Sequence, residues 1–410
     1  MGFHEISLLV ALIGALVVFT IVAKSLMERA GVPALIGYLI LGVIIKLADE
    51  QWSFLSAADY EVFEILAKLG VILLLFGVGV ESDLGGLVKQ LKSASFIWVV
   101  SVAVSGLAGF AVSRYLLSLG LVPSVFVGVA MTATSVGVPM SVWRETGHLD
   151  SEDGETLIDV AELDDMSGVL FMALVVSVAP TLREGAGWEI AGSAASVLGS
   201  SLLKVAVFAA GCYLFSRYLE ERLTTFFYRL EKGPDRMLTV VGIAIIIAAV
   251  AGLAGFSVAI GAFFAGLIFS RDPKAVKAVS SFDSVSDLFV PFFFVGIGLS
   301  MEPAALDGAV LVGAALVVVA VVGKLLGAAF PALVCASGKG ALLIGVSMVP
   351  RAEITMIIME QGRRLGGWAV PPEVFGGMVM VAAITSLAAP FALRWMLSRW
   401  PPSRKPGGGG

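Results

Sequence analysis

Charge is what this sequence has least of: 14% of its 410 residues are Asp, Glu, Lys or Arg, against 58% hydrophobic residues and a mean hydropathy of +0.97. A composition so poor in polar surface excludes an ordinary water-soluble globule. Cysteine is equally sparse, and Cys212 and Cys335 lie in apolar stretches without ligand spacing, which excludes a disulfide framework and a thiolate metal centre. None of the 47 glycines belongs to a Gly-x-x-x-x-Gly-Lys-Ser/Thr phosphate loop, and no motif of a soluble enzyme accompanies them. Nothing suggests nucleic-acid binding or a cofactor. The first apolar window opens at Ile6 without a basic region or a cleavage site, so it reads as a retained span rather than a signal peptide.

What is present is a succession of apolar windows of about 17 to 25 residues, the length that crosses about 30 Å of hydrocarbon as a helix. They do not alternate as barrel strands do. The sequence therefore predicts an all-α polytopic membrane protein of about thirteen helices, near 5–27, 33–49, 62–80, 94–117, 119–143, 154–179, 188–216, 237–253, 255–270, 284–300, 306–334, 339–362 and 373–398. The tail 401–410 is read as lying outside the fold. Most of the 27 basic residues gather on one side, notably Arg217, Arg222, Arg229, Lys232, Arg236, Arg271, Lys274, Lys277, Arg394, Arg399, Arg404 and Lys405. The positive-inside rule then puts the C-terminus in the cytoplasm and the N-terminus outside, in a bacterial inner membrane.

The chain also repeats itself. Ala30 to Gly37 and Gly42 to Ile44 align with Ala254 to Gly261 and Gly266 to Ile268; Phe76 to Val80 aligns with Val295 to Leu299; Gly128 to Met131 aligns with Gly345 to Met348. Each match joins spans seven apart. An odd offset means opposite directions through the membrane, so the halves form an inverted-topology repeat, with 188–216 as the linker. This is the architecture of alternating-access transporters, whose site lies near the midplane.

Charges at membrane depth are expensive and mark function. Span 154–179 carries Asp159, Glu162, Asp164 and Asp165. Adjacent residues on a helix point about 100° apart, so Asp164 and Asp165 cannot share one partner. Lys324, too deep in an apolar span to reach either end, is the leading counter-ion for one of them; the other is expected to face a water-filled cavity. Thr132 to Pro139 and the repeat-equivalent Val349-Pro350-Arg351-Ala352-Glu353 read as breaks in their helices, where unwound carbonyls can replace a cation's hydration shell. Arg351 and Glu353 are expected to form an ionic cluster, with Glu162 as a further partner for Arg351. Glu64 and Lys68 have the spacing of a helix-surface pair, Lys204 has no local partner, and His148 sits in an acidic loop. A carboxylate pair at the midplane points to exchange of a monovalent cation for protons. A passive channel or a sodium-coupled symporter of organic anions are the readings from other classes.

Gly31-Val32-Pro33 with Gly37-Tyr38-Leu39, Leu69 to Phe76, Thr132 to Pro139, Leu163-Asp164-Asp165 and Pro350-Arg351-Ala352-Glu353 together resemble the monovalent cation:proton antiporter-2 family, which includes bacterial sodium/proton antiporters and Kef-type potassium efflux systems. The resemblance covers essentially the whole chain. It implies crossed discontinuous helices in a core part, near 94–179 and 306–398, moving in an elevator-like cycle against a dimerisation part, near 5–80 and 237–300, in a homodimer. It further implies Asp165 as the shared carrier of Na+ (or Li+ or K+) and H+, Asp164 paired with Lys324, Thr132 and Thr134 lining the crossing, and electrogenic exchange.

Overall fold

The computed structural model describes residues 3–81, 84–135, 137–183, 188–220, 222, 223, 225, 226, 237–270 and 273–400. Val136, the basic residues Arg229, Lys232, Arg236, Arg271, Arg404 and Lys405, and the tail 401–410 lie outside them. Every regular element among the described residues is helical. Seven of these helices are long and apolar enough to cross a bilayer, and five shorter apolar helices accompany them. The chain divides into two compact units, residues 1–83 with 204–301 and residues 84–203 with 302–410. The division falls inside the expected linker helix, α8 (Trp188–Tyr218).

The first unit holds α1 (Phe3–Arg29), α2 (Ala34–Trp52), α3 (Ala57–Glu81), α9 (Met237–Leu253), α10 (Val258–Phe269) and α11 (Pro273–Leu299). The windows 237–253 and 255–270 are two helices, separated by a turn in which Gly255 takes φ +87° and Ser257 caps the next helix through Ile260 N. In lipid, helices gain no hydrophobic benefit from meeting, so small residues that let backbones touch decide the packing. A Cβ on Gly42 would lie 2.2 Å from the Val295 carbonyl, and one on Gly266 would lie 2.3 Å from the Phe76 carbonyl. A Cβ on Gly79 would meet the Phe263 carbonyl at 2.2 Å, and one on Gly298 the Leu39 carbonyl at 2.4 Å.

These four contacts are two images of one crossing. The internal alignment equates Gly42 with Gly266 and Gly79 with Gly298; the structure sets Gly42 on Gly298 and Gly266 on Gly79. Extended back along the same register, it equates Gly70 with Phe289, and these two also meet, with a Cβ on Gly70 at 2.4 Å from the Phe289 carbonyl. The pseudo-twofold axis of the unit therefore runs between α3 and α11. Beside the α3–α10 crossing lies an apolar cluster of Leu73, Phe76, Val240, Ala265, Ile268 and Phe269. Glu64 and Lys68 form their helix-surface pair at 2.9 Å.

The second unit holds α4 (Leu84–Ala111), closed by a π turn (Val112–Leu116), α5 (Leu121–Thr132), α6 (Gly137–Glu145), α7 (Glu152–Arg183), α12 (Leu306–Lys324) with its own π turn (Leu325–Ala329), α13 (Gly338–Ser347), α14 (Glu353–Leu365) and α15 (Pro372–Arg399). The windows 119–143 and 339–362 are each two helices, interrupted at residues 133–135 and 348–352 among the described residues. Trp143, Leu157, Val160, Ile344 and Leu393 form the buried cluster at one end. There the Trp143 indole donates to Ser347 Oγ at 2.9 Å, joining α6 to α13.

The crossings give a direct test. Gly42→Ala and Gly266→Ala each force backbones apart and should cost about 1 to 3 kcal/mol of stability, as overpacking does. Gly242→Ala, with nothing within 4 Å of the new methyl, should be neutral or slightly stabilising in thermal unfolding of the detergent-solubilised protein.

Candidate functional site

The two interruptions meet. Pro350 has no N–H to give a helix and biases Val349 away from helical backbone, so α13 stops at Ser347. Pro139, by contrast, lies in the first turn of α6, where a missing donor costs nothing. Ser135 N–H donates to the Pro350 carbonyl at 2.9 Å, a backbone hydrogen bond from one interruption to the other. Thr355 Oγ1 reaches back to the Ala130 carbonyl at 3.1 Å.

An interrupted helix exposes carbonyls with no partners of their own, and α5 ends on Thr132 and Ala133. The Thr132 carbonyl accepts from Lys324 Nζ at 3.0 Å and from Arg351 Nη1 at 3.3 Å. Arg351 Nη1 also donates to the Ala133 carbonyl and, at 3.4 Å, to Thr134 Oγ1. Two cations thus cap the partly negative end of α5. Of the unwound carbonyls that could replace a cation's hydration shell, those of Thr132 and Ala133 accept from the protein's own side chains. The Thr132 hydroxyl is turned back onto Val129 O at 2.7 Å.

Asp164 lies in mid-helix in α7, so it is no helix cap, and it is 1% exposed. Lys324, 0% exposed, sits 3.3 and 3.4 Å from its two carboxylate oxygens and donates a shorter bond, 2.8 Å, to Ser101 Oγ. Ser101 reaches the lysine because α4 and α12 touch through small residues: a Cβ on Gly327 would stand 2.9 Å from Ser101 Cα. Lys324 is the last residue before the π turn, a local widening of the helix that recurs at functional sites. Gly168, one turn beyond the aspartates, brings α7 against the first interruption and the first turn of α14, since a Cβ there would lie 3.3 Å from Ala133 and 3.0 Å from Ile354. Asp165 follows Asp164 around the helix and is partly exposed, as is Glu162.

The expected Arg351–Glu353 pair does not form among the described residues. Arg351 lies in the unwound stretch, its N–H bonded to Thr385 Oγ1 at 3.1 Å and its carbonyl to Ser386 Oγ at 3.3 Å, which aims the side chain at α5. Glu353 opens α14, where an acid suits the helix dipole, and accepts from Ser135 Oγ. Nor does Arg351 reach Glu162; its Nε and Nη2 have no protein partner among the described residues. Two further parts went unread in the sequence. The Trp98 indole donates to Ser167 Oγ at 3.0 Å, and that hydroxyl donates to the Asp164 carbonyl at 2.9 Å. A lone Trp or Ser in an apolar span carries no pattern that would reveal such a chain.

This geometry can be set beside known proteins. Residues 14–399 match the family model described as sodium/hydrogen exchanger, transmembrane. The chain is 29% identical over 393 residues to the high-affinity Na(+)/H(+) antiporter NhaS3 of Synechocystis, covering 93% of this chain and 82% of that one. It is 26% identical over 385 residues to the Na(+)/H(+)-K(+) antiporter GerN of Bacillus cereus, covering 93% and 95%. In fold it is similar to the sodium proton antiporter MjNhaP1 of Methanocaldococcus jannaschii, with a TM-score of 0.68, 16% identity and 97% of each chain covered. With a family model matched over nearly its whole length, and with the motifs and the interrupted helices where that resemblance requires them, the chain belongs to the sodium/hydrogen exchanger family, on its monovalent cation:proton antiporter-2 side.

Proposed function

We propose that this protein exchanges Na+ for H+ across a bacterial cytoplasmic membrane, with Asp165 as the carboxylate for which the two ions compete. The observation that carries the reading is the unequal environment of two adjacent acids. Asp164 is sealed against Lys324, whose ammonium Ser101 also holds, whereas Asp165, about 100° around the same helix, is partly exposed. A carboxylate already held by a buried ammonium is poorly placed to release and rebind a cation at each turnover. Its neighbour keeps part of its surface exposed.

Competition for one carboxylate couples the ions without any further machinery. Protonated Asp165 excludes the cation, and bound cation excludes the proton, so a site open to one side at a time exchanges them. The division of the chain into two compact units, with every proposed site residue in one of them, supports an elevator-type movement of that unit. With Asp164 and Asp165 both acidic, exchange is electrogenic. The N-terminus lies outside, the C-terminus in the cytoplasm, and the assembly is a homodimer. K+ is the second candidate cargo, because the name of the Bacillus cereus relative includes it.

Asp165→Asn should abolish Na+-driven proton movement in proteoliposomes while leaving thermal unfolding unchanged; wild-type exchange in that variant would remove Asp165 from the cycle. Exchange by the unaltered protein should be bell-shaped in pH, since the cation cannot bind a protonated site and few sites are protonated at high pH. Asp164→Asn should behave differently in kind. Removing one partner of a buried pair strands the other, so stability should fall by about 3 to 5 kcal/mol, and Asp164→Asn combined with Lys324→Met should recover much of it in the same unfolding assay.

A further inference from the structure

Away from the ion site, α15 and α12 each present an apolar stripe on the outside of the second unit. On α15, Ile384, Leu387, Phe391 and Trp395 follow one another at helical spacing, 38% to 53% exposed. On α12 and its continuation, Leu326, Phe330 and Leu333 do the same at 52% to 70%. In a membrane protein such stripes face acyl chains. The two helices pack against each other, and the last turn of α15, Trp400 after it and Lys339 of α13 come together in one stack.

That stack alternates cation, indole, indole, cation. The Arg399 guanidinium lies 4.6 Å from the centre of the Trp395 ring; Trp395 and Trp400 meet edge-on at 6.2 Å; Lys339 Nζ lies 5.8 Å from the Trp400 ring. Trp400 is anchored from beneath by the apolar cluster that contains Trp143 and Ile344. Lys339 and Arg399 are both exposed, and neither forms an ion pair with an acid among the described residues. The neighbouring basic residue, Arg394, is already bonded to Glu145 at 3.2 Å. Lys339 stands in the first turn of α13, where the helix dipole opposes a cation. The acid that serves this helix end, Asp153, packs on Gly340, with a Cβ there only 2.3 Å from its Oδ2. Lys339 is directed instead to the Trp400 face.

We infer that this stack is a binding site for an anionic phospholipid. Lys339 and Arg399, one at each end of the stack, attract the anionic headgroup, the two indoles lie at the level of the glycerol backbone, and the acyl chains run down the stripes of α15 and α12. Each part matches one chemistry of the ligand. Indoles favour the interfacial layer, basic residues near the membrane surface attract anionic headgroups, and the exposed stripes supply continuous apolar surface. A soluble anion would use the cations and leave the indoles and stripes without a role. The bound lipid would touch the first turn of α13, one half of an interrupted helix, and so steady the part of the unit that carries the second interruption.

Native mass spectrometry of the full-length protein, delipidated and then titrated with phosphatidylglycerol or phosphatidylcholine, tests this. Lys339→Gln and Arg399→Gln should each weaken phosphatidylglycerol retention about fivefold, the effect of one basic residue near an anionic surface, with phosphatidylcholine unaffected. Lys339→Arg should retain wild-type binding. Thermal unfolding supplies the second arm: phosphatidylglycerol should stabilise the unaltered protein, and equimolar inorganic phosphate should not. Equal phosphatidylglycerol affinity in the unaltered protein and the double variant would overturn the assignment, as would stabilisation by phosphate alone.

Discussion

The carbonyl of Thr132 accepts hydrogen bonds from two buried cations, and the second unit is organised around that fact. A helix interrupted inside a bilayer must find donors within the protein, because hydrocarbon offers none. Lys324 and Arg351 supply them from α12 and from the opposite interruption. Both are then charges at membrane depth that need compensation, and Asp164 meets Lys324 for that reason. The remaining contacts hold this group in place. Ser101 takes the ammonium's shortest bond, Thr385 and Ser386 fix the Arg351 backbone, and Gly168 brings α7 within reach.

Much of this was legible where a residue's presence is costly enough to require an explanation. Lysine at position 324 and aspartate at 164 each sit too deep to reach water by stretching, so each demanded a partner. Pro350 and the Gly137–Pro139 segment announced interruptions because proline and glycine act through the backbone. Repeated glycine-bearing segments announced the inverted repeat, and the structure places their glycines at its duplicated crossings, where only a missing side chain lets two backbones touch. The placement of basic residues separated two short spans that hydropathy alone would merge.

What could not be read has a common cause. The Arg351 side chain is held mainly by carbonyl groups, which every residue carries and no sequence distinguishes. Its side chain also leaves an unwound stretch, where the 3.6-residue period that predicts direction does not apply. Two residues away, Glu353 has entered a helix and turned elsewhere, so closeness in the chain misled. The chain from Trp98 through Ser167 to the Asp164 carbonyl depends on helices whose approach is set by packing far from those residues.

The glycine crossings of the first unit have a mechanical consequence. Where helices meet through side chains, rotamers can shift and absorb a small displacement. At Gly42 on Gly298, and at Gly79 on Gly266, no side chain intervenes, and main chain rests on main chain. Such a joint has no slack: it can slide only by losing contact altogether. The same joint occurs twice, on either side of an axis between α3 and α11. Twisting the unit at one crossing would strain the other in the opposite sense, so this part of the molecule has high stiffness built into its backbone rather than borrowed from its core.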